Sequence, residues 1–401
     1  MRLLVVYPYI PFPVDRGTFQ RTFHLLRALA RDHEIDLLAL SEAGERCEQK
    51  PVFAEFCRRV EFVKFEHPAW PGLFPDRLLH PLPTTVRHWR LPHVAEAIQR
   101  FTEGQTYDLV HVCDIVMAQY FQNRMAQWPL AIDRSRVDLQ FQMAQSEVMS
   151  RGPKQAFLDW ENRTKLRRFE RQMARRSAVQ VVCGPDDASF VRAEISADVP
   201  LQVITNGVDL EYFRPEATTQ ARATEPTVLF CGAMDYTANV DALRWFFGEI
   251  HEALRQRVPD LRVLVVGKAP VAEVQAYGQR PGVTVTGGVP DVRPLYRQAW
   301  LQIVPLRIGG GTRLKIPESM AMGTPVVSTT IGAQGLDLEH GKDILLADTP
   351  SAFVEETARA LCDRPLRAQL ETAGQATVQQ RFSWTMLGQK LSDYYARTFA
   401  S

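Results

Sequence analysis

The sequence predicts an α/β protein made of two doubly wound parallel-sheet domains. Short apolar runs alternate with helical patterns along the chain. The alternation starts afresh after an Asn-Gly turn near the middle. The length of 401 residues agrees with two or three domains of about 100–200 residues each.

In the first series, residues 2–6 read as a buried strand. Residues 18–31 read as a helix, with Phe19, Phe23, Leu26 and Leu29 at helical spacing. Strands follow at 34–39, 109–112, 130–132, 178–182 and 201–204. The second series places strands at 227–231, 262–266, 283–286, 301–304 and 325–328, and a helix at about 240–257. Asn206-Gly207-Val208-Asp209 marks the junction, and 215–226 reads as a polar linker or surface loop. The expected domains are 1–206, 207–383 and a closing helix in 384–401 that packs back on the first domain. Two such halves are expected to face each other across a cleft at the C-terminal ends of their strands, where open parallel sheets bind ligands.

Composition narrows the function. The formal net charge of +1 supplies no global field to recruit nucleic acid. The six cysteines form no C-x-x-C pair, so neither a zinc site nor a redox motif is indicated. Cys113, Cys183 and Cys231 lie in apolar runs and read as reduced, buried thiols. No stretch approaches the ~18 apolar residues of a membrane helix, and the N-terminal run is too short for a signal peptide. A cytoplasmic protein is expected.

Three regions carry candidate chemistry. Gly17, in the loop 11–18 between the first strand and helix, suits either a phosphate contact or a simple strand-to-helix turn. The stretch 304–327 is more specific. A strand runs into Gly309, Gly310 and Gly311, and a helix is expected to begin near Thr312. Backbone N–H groups, a helix dipole, Arg313 and Lys315 would together favour a diphosphate. Glu318, one turn along, is placed to accept from ribose hydroxyls. The structural alternative is a Gly-rich turn with a solvated basic helix start. In the first domain His111, Asp114 and Asp133 stand at strand ends, where an acid is often a helix cap or turn former. Residues 160–176 hold seven basic and two acidic residues, which reads either as a solvated helix face or as a surface for an anionic membrane. No D-x-D triplet occurs, so no metal is expected to bridge a diphosphate.

The stretch 304–327 closely resembles the donor-binding signature of the retaining glycosyltransferases of family 4, which have the GT-B fold. Asn206-Gly207-Val208-Asp209 looks like that family's interdomain turn. Residues 230–240, with Gly232 and Asn239, look like the start of its second domain. Residues 286–292, with Val289 and Asp291, look like the loop beside the nucleotide base, and Gly332-Ala333-Gln334-Gly335-Leu336 and Phe382-Ser383-Trp384 also match. Two departures stand out. The first of the family's two glutamates falls on Gly310. The Arg and Lys that many members carry after the first strand of the second domain are replaced by Ala233, Met234 and Asn239. Arg313 and Lys315 would restore those cations from another loop.

The resemblance implies transfer of a sugar from a UDP- or GDP-sugar, with retention, in bacterial polysaccharide or glycoconjugate assembly. The donor would bind the second domain, and a sugar or lipid-linked glycan acceptor the first. Asp133 would be the leading group near the reacting sugar. Peripheral contact with the inner face of the membrane would run through 160–176. Two rivals stay open: a sugar-nucleotide epimerase on the same fold, and a non-catalytic partner subunit that only binds a sugar nucleotide.

Overall fold

The computed structural model describes residues 1–14, 17–66, 79–121, 127–148, 152–215, 222–308 and 313–400. The chain forms two compact units. One comprises Met1–Thr205 with Trp384–Ser401, the other Asn206–Ser383.

The first unit holds seven strands: β1 Arg2–Tyr7, β2 Glu34–Glu42, β3 Arg59–Phe65, β4 Leu109–Cys113, β5 Leu130–Asp133, β6 Val179–Val182 and β7 Leu201–Val203. Their order is β3-β2-β1-β4-β5-β6-β7, and every pairing is parallel. The second unit holds β8 Thr227–Cys231, β9 Arg262–Val266, β10 Val283–Gly287, β11 Leu301–Val304, β12 Val326–Ser328 and β13 Leu345–Leu346. Their order is β10-β9-β8-β11-β12-β13, again all parallel. Helices on both faces bury these strands, which is why β4, β5, β6 and β11 are buried at every residue. Strand order reverses between β1 and β4 in one sheet and between β8 and β11 in the other. Ligands of doubly wound sheets bind beyond the carboxyl ends of the strands at that reversal.

Two strands escape the sequence reading. β3 is an edge strand with charges at Arg59, Glu61 and Lys64, so its apolar run is broken. β13 has only two residues. The helix read at 240–257 is three segments: helix Thr237–Trp245, a π turn Phe246–Ile250 and helix His251–Arg257. The closing helix is longer than its apolar pattern, Trp384–Phe399. It crosses helix Gly17–Leu29 so closely that a Cβ on Gly388 would lie 2.2 Å from the Ala28 Cβ. His24 stacks on Trp384 beside this crossing, at 5.5 Å between centroids.

The π turn packs His251 against Phe246 and Phe247, with both ring nitrogens buried and without a hydrogen-bond partner among the described residues. Desolvation, then the charges of Arg280 and Arg255, push its pKa down to about 4. The unfolded chain protonates this histidine near its ordinary value of about 6.5, and the folded chain does not until about 4. Stability is therefore lost as pH falls from about 6.5 towards 4. His251→Leu should remove that loss and gain about 2 kcal/mol over the wild type at pH 4.5. Urea unfolding at pH 7 and pH 4.5 checks this; equal pH dependence in both proteins would contradict it.

Candidate functional site

The second unit brings its cation to the reversal point. Lys315 opens the short helix Lys315–Ala321, just past the loop that leaves β11. Its side chain reaches back towards the end of β8. The ammonium donates to Asn239 Oδ1 at 2.9 Å and lies 4.5 Å from the centre of the Phe230 ring. Asn239 is itself fixed by donating to the Ala233 carbonyl at 2.8 Å. Gly232 makes room for the pair: a Cβ there would fall 2.6 Å from Asn239 Nδ2 and 3.0 Å from Lys315 Nζ. The ammonium thus stands directly after the first strand of this unit. Desolvation pulls its pKa down to about 8, with the nearby Arg313 charge adding to the fall.

Other expected donor residues fall into different roles. Glu318 is buried, and its Oε2 accepts from the Tyr296 hydroxyl at 3.2 Å. Val289 is half-buried in the loop after β10. Asp291, expected beside the nucleotide base, accepts from the Arg293 backbone N–H at 2.9 Å, at the start of helix Arg293–Gln298, and from the Arg293 guanidinium at 2.8 Å. Arg293 in turn stacks on Tyr212, 4.1 Å from the ring centre. These hydrogen bonds, led by Arg293, hold the Asp291 pKa below its usual range. Gly309, Gly310, Gly311 and Thr312 lie outside the described residues. The helix expected to begin near Thr312 begins at Lys315, so Arg313 precedes it.

In the first unit, Asp133 does not stand open at the end of β5. It is 3% exposed and forms a two-pronged ion pair with Arg21, at 2.6 Å and 3.1 Å. Arg21, itself 1% exposed, also donates to the Ile204 carbonyl at 2.8 Å. The sequence reading missed Arg21, yet the signal was there: it shares a helix face with Leu25 and Ala28, four and seven residues on. His111 is equally enclosed. Its Nδ1 meets the Tyr395 hydroxyl at 2.8 Å, and desolvation lowers its pKa, so it stays neutral. Asp133 and His111, expected at open strand ends, are thus both buried in one hydrogen-bonded cluster. His111, Cys113 and Asp133 do cluster with ligand atoms within 4.8 Å of one another. A metal ion there would face the Arg21 guanidinium across the same carboxylate, so the cluster reads as a hydrogen-bonded core.

Asp114 is the third candidate, and it is half-buried rather than enclosed. It follows β4 with φ +89°, a strained value for any residue but glycine. Its side chain accepts from the Val116 N–H at 3.2 Å. Desolvation, then the Asp138 charge, push its carboxyl up to about 7. Gly17 is the exposed first residue of its helix.

The basic stretch lies in helix Pro153–Arg176 and is largely engaged with its own chain. Lys165 pairs with Glu161, Arg167 pairs with Glu194 at 2.8 Å, and Arg171 donates to the Glu194 carbonyl. Arg163 donates to Ser146, and Arg176 to the Phe121 and Trp128 carbonyls. Arg168 and Arg175 are exposed.

Comparison with known proteins bears on this geometry. Residues 225–363, most of the second unit, match the family model described as glycosyl transferases group 1. The chain is 27% identical over 329 residues to the D-inositol 3-phosphate glycosyltransferase of Saccharomonospora viridis, covering 76% of this chain and 73% of that one. It is 27% identical over 214 residues to the lipopolysaccharide core biosynthesis mannosyltransferase LpsB of Rhizobium meliloti, covering 49% and 60%. Across the curated relatives the matched region spans from 35% to 73% of their length. Among solved structures, the sucrose-phosphate synthase of Thermosynechococcus elongatus superposes with a TM-score of 0.75 at 20% identity, over 100% of both chains. Anabaena HepE in complex with UDP and glucose superposes at 0.67 and 16% identity, over 99% and 100%. These findings support a GT-B glycosyltransferase. The glycosyltransferase match coincides with the unit in which Lys315, Asn239 and Gly232 converge.

Proposed function

We propose that the chain transfers a sugar from a nucleoside diphosphate sugar to an acceptor hydroxyl, with retention of anomeric configuration and without a metal ion. The Lys315 ammonium at the reversal point of the second sheet, within a matched glycosyltransferase domain, carries this reading. The second unit, Asn206–Ser383, binds the donor. Lys315 and Arg313 stabilise charge developing on the leaving diphosphate. Glu318, oriented by Tyr296, accepts from the ribose. The first unit binds the acceptor. Asp114 handles the acceptor's proton there, since a carboxyl with a pKa near 7 suits proton transfer at neutral pH.

UDP is the favoured nucleotide, on the strength of the HepE complex with UDP. A glycan under assembly is the favoured acceptor, on the strength of the Rhizobium relative. The test is a thermal-shift screen of UDP, GDP and their sugars in EDTA. UDP or GDP should raise the melting temperature. No shift with any nucleotide would overturn the donor assignment.

We place the protein in the cytoplasm with peripheral membrane contact through helix Pro153–Arg176. No described helix is long and apolar enough to cross a membrane. Phe157 and Trp160, 44% and 57% exposed, add an aromatic pair to the exposed Arg168 and Arg175. The protein should sediment with phosphatidylglycerol vesicles at low salt and leave them at high salt. Wild-type protein that stays in the supernatant at low salt contradicts the contact.

A further inference from the structure

The first unit contains a cavity of about 500 Å³ between the start of helix Pro92–Thr102, the turn Gln119–Phe121 and helix Pro153–Arg176. Its size falls within the ~300–1,000 Å³ of small-molecule sites. Leu82, Leu91 and Phe169 give it an apolar wall. Arg90 and Arg168 also line it, both exposed, and among the described residues no acid lines it. Neither arginine has an ion-pair or hydrogen-bond partner among the described residues.

The floor is built rather than incidental. The Tyr120 hydroxyl donates to the Trp89 carbonyl and accepts from the Leu91 N–H at 3.0 Å, which fixes the turn. Gln119 Nε2 donates to the Val116 carbonyl at 2.8 Å and to the Val86 carbonyl at 3.2 Å. Those two bonds hold the Gln119 side chain against the floor.

Two guanidinium groups without an acid select an anion, and their planar donor forks fit phosphate. The apolar wall selects a hydrocarbon chain. We propose that this cavity binds an amphiphilic phosphate. A single acyl or alkyl chain lies against Leu82, Leu91 and Phe169, and the phosphate is held by Arg90 and Arg168. The inference goes beyond the transfer reaction: no residue of the cavity belongs to the second unit, and binding needs no donor.

The test is calorimetry on the full chain with lauroyl lysophosphatidic acid below its micelle concentration. Saturable one-to-one binding is expected. Arg90→Ala and Arg168→Ala should each weaken it about tenfold, the scale of one charge-assisted hydrogen bond. Both variants should keep the wild-type melting temperature and UDP affinity. Monolauroyl glycerol, which lacks the phosphate, and inorganic phosphate, which lacks the chain, should each bind at least a hundredfold more weakly. Equal binding of monolauroyl glycerol, unchanged affinity in both arginine variants, or no saturable binding overturns the site.

Discussion

Lys315→Met should weaken nucleoside diphosphate binding by about 1.5–3 kcal/mol, roughly ten- to hundredfold. The ammonium is enclosed by the Phe230 ring and Asn239 at the end of β8, where little water competes for it. Methionine keeps much of the volume and removes the charge. The same geometry sets a pH dependence. With its pKa near 8 in the free protein, Lys315 loses its charge as pH rises through that value. A bound diphosphate favours the charged form, so wild-type affinity should be flat just below pH 8 and fall above it. Lys315→Met should abolish that fall. Calorimetry with UDP and GDP at pH 7 and pH 9 reads both effects. Normal affinity in the variant, or a wild-type affinity that does not change between the two pH values, would remove Lys315 from the diphosphate site. Gly232→Ala offers a check from the other side, because its methyl group would displace the Lys315–Asn239 pair without deleting either.

Asp133→Ala should destabilise the chain by about 3–5 kcal/mol, the cost of stranding one member of a buried ion pair. Arg21 would be left with its charge at 1% exposure and without its carboxylate. The double variant Arg21→Met with Asp133→Leu should recover much of that loss, since apolar replacement of a buried pair is often near neutral. Urea unfolding of the two single variants and the double variant separates this account from a catalytic one. Should Asp133→Ala retain wild-type stability while losing all turnover, the carboxylate acts on substrate and the structural assignment fails.

Much of the fold was legible because parallel strands buried on both faces read as short apolar runs. Val228–Phe230 and Leu301–Val304 are such runs, and both stand where the pattern put them. β3 was not legible, because Glu61 and Lys64 break its run where an edge strand meets water. The π turn at Phe246–Ile250 was hidden because one inserted residue leaves the composition of a helix unchanged. At the candidate site, the three-glycine stretch with Arg313 and Lys315 drew attention to the loop after β11. What the spacing could not give was the reach of Lys315 to a partner 76 positions earlier. Nor could it give the pairing of Asp291 with Arg293. The burial of Asp133 was hidden because its partner Arg21 comes from a helix 112 positions earlier.

The central claim is sugar transfer by the chain itself. It is tested most directly by incubating the purified protein with a UDP- or GDP-sugar and a panel of glycan acceptors in EDTA, and following the product by NMR. The account predicts a glycosylated acceptor with the donor's anomeric configuration, free nucleoside diphosphate in equal amount, and loss of both in Lys315→Met. A protein that binds the nucleotide with the predicted affinity yet yields no product with any acceptor, with EDTA or with added magnesium and manganese, would contradict it.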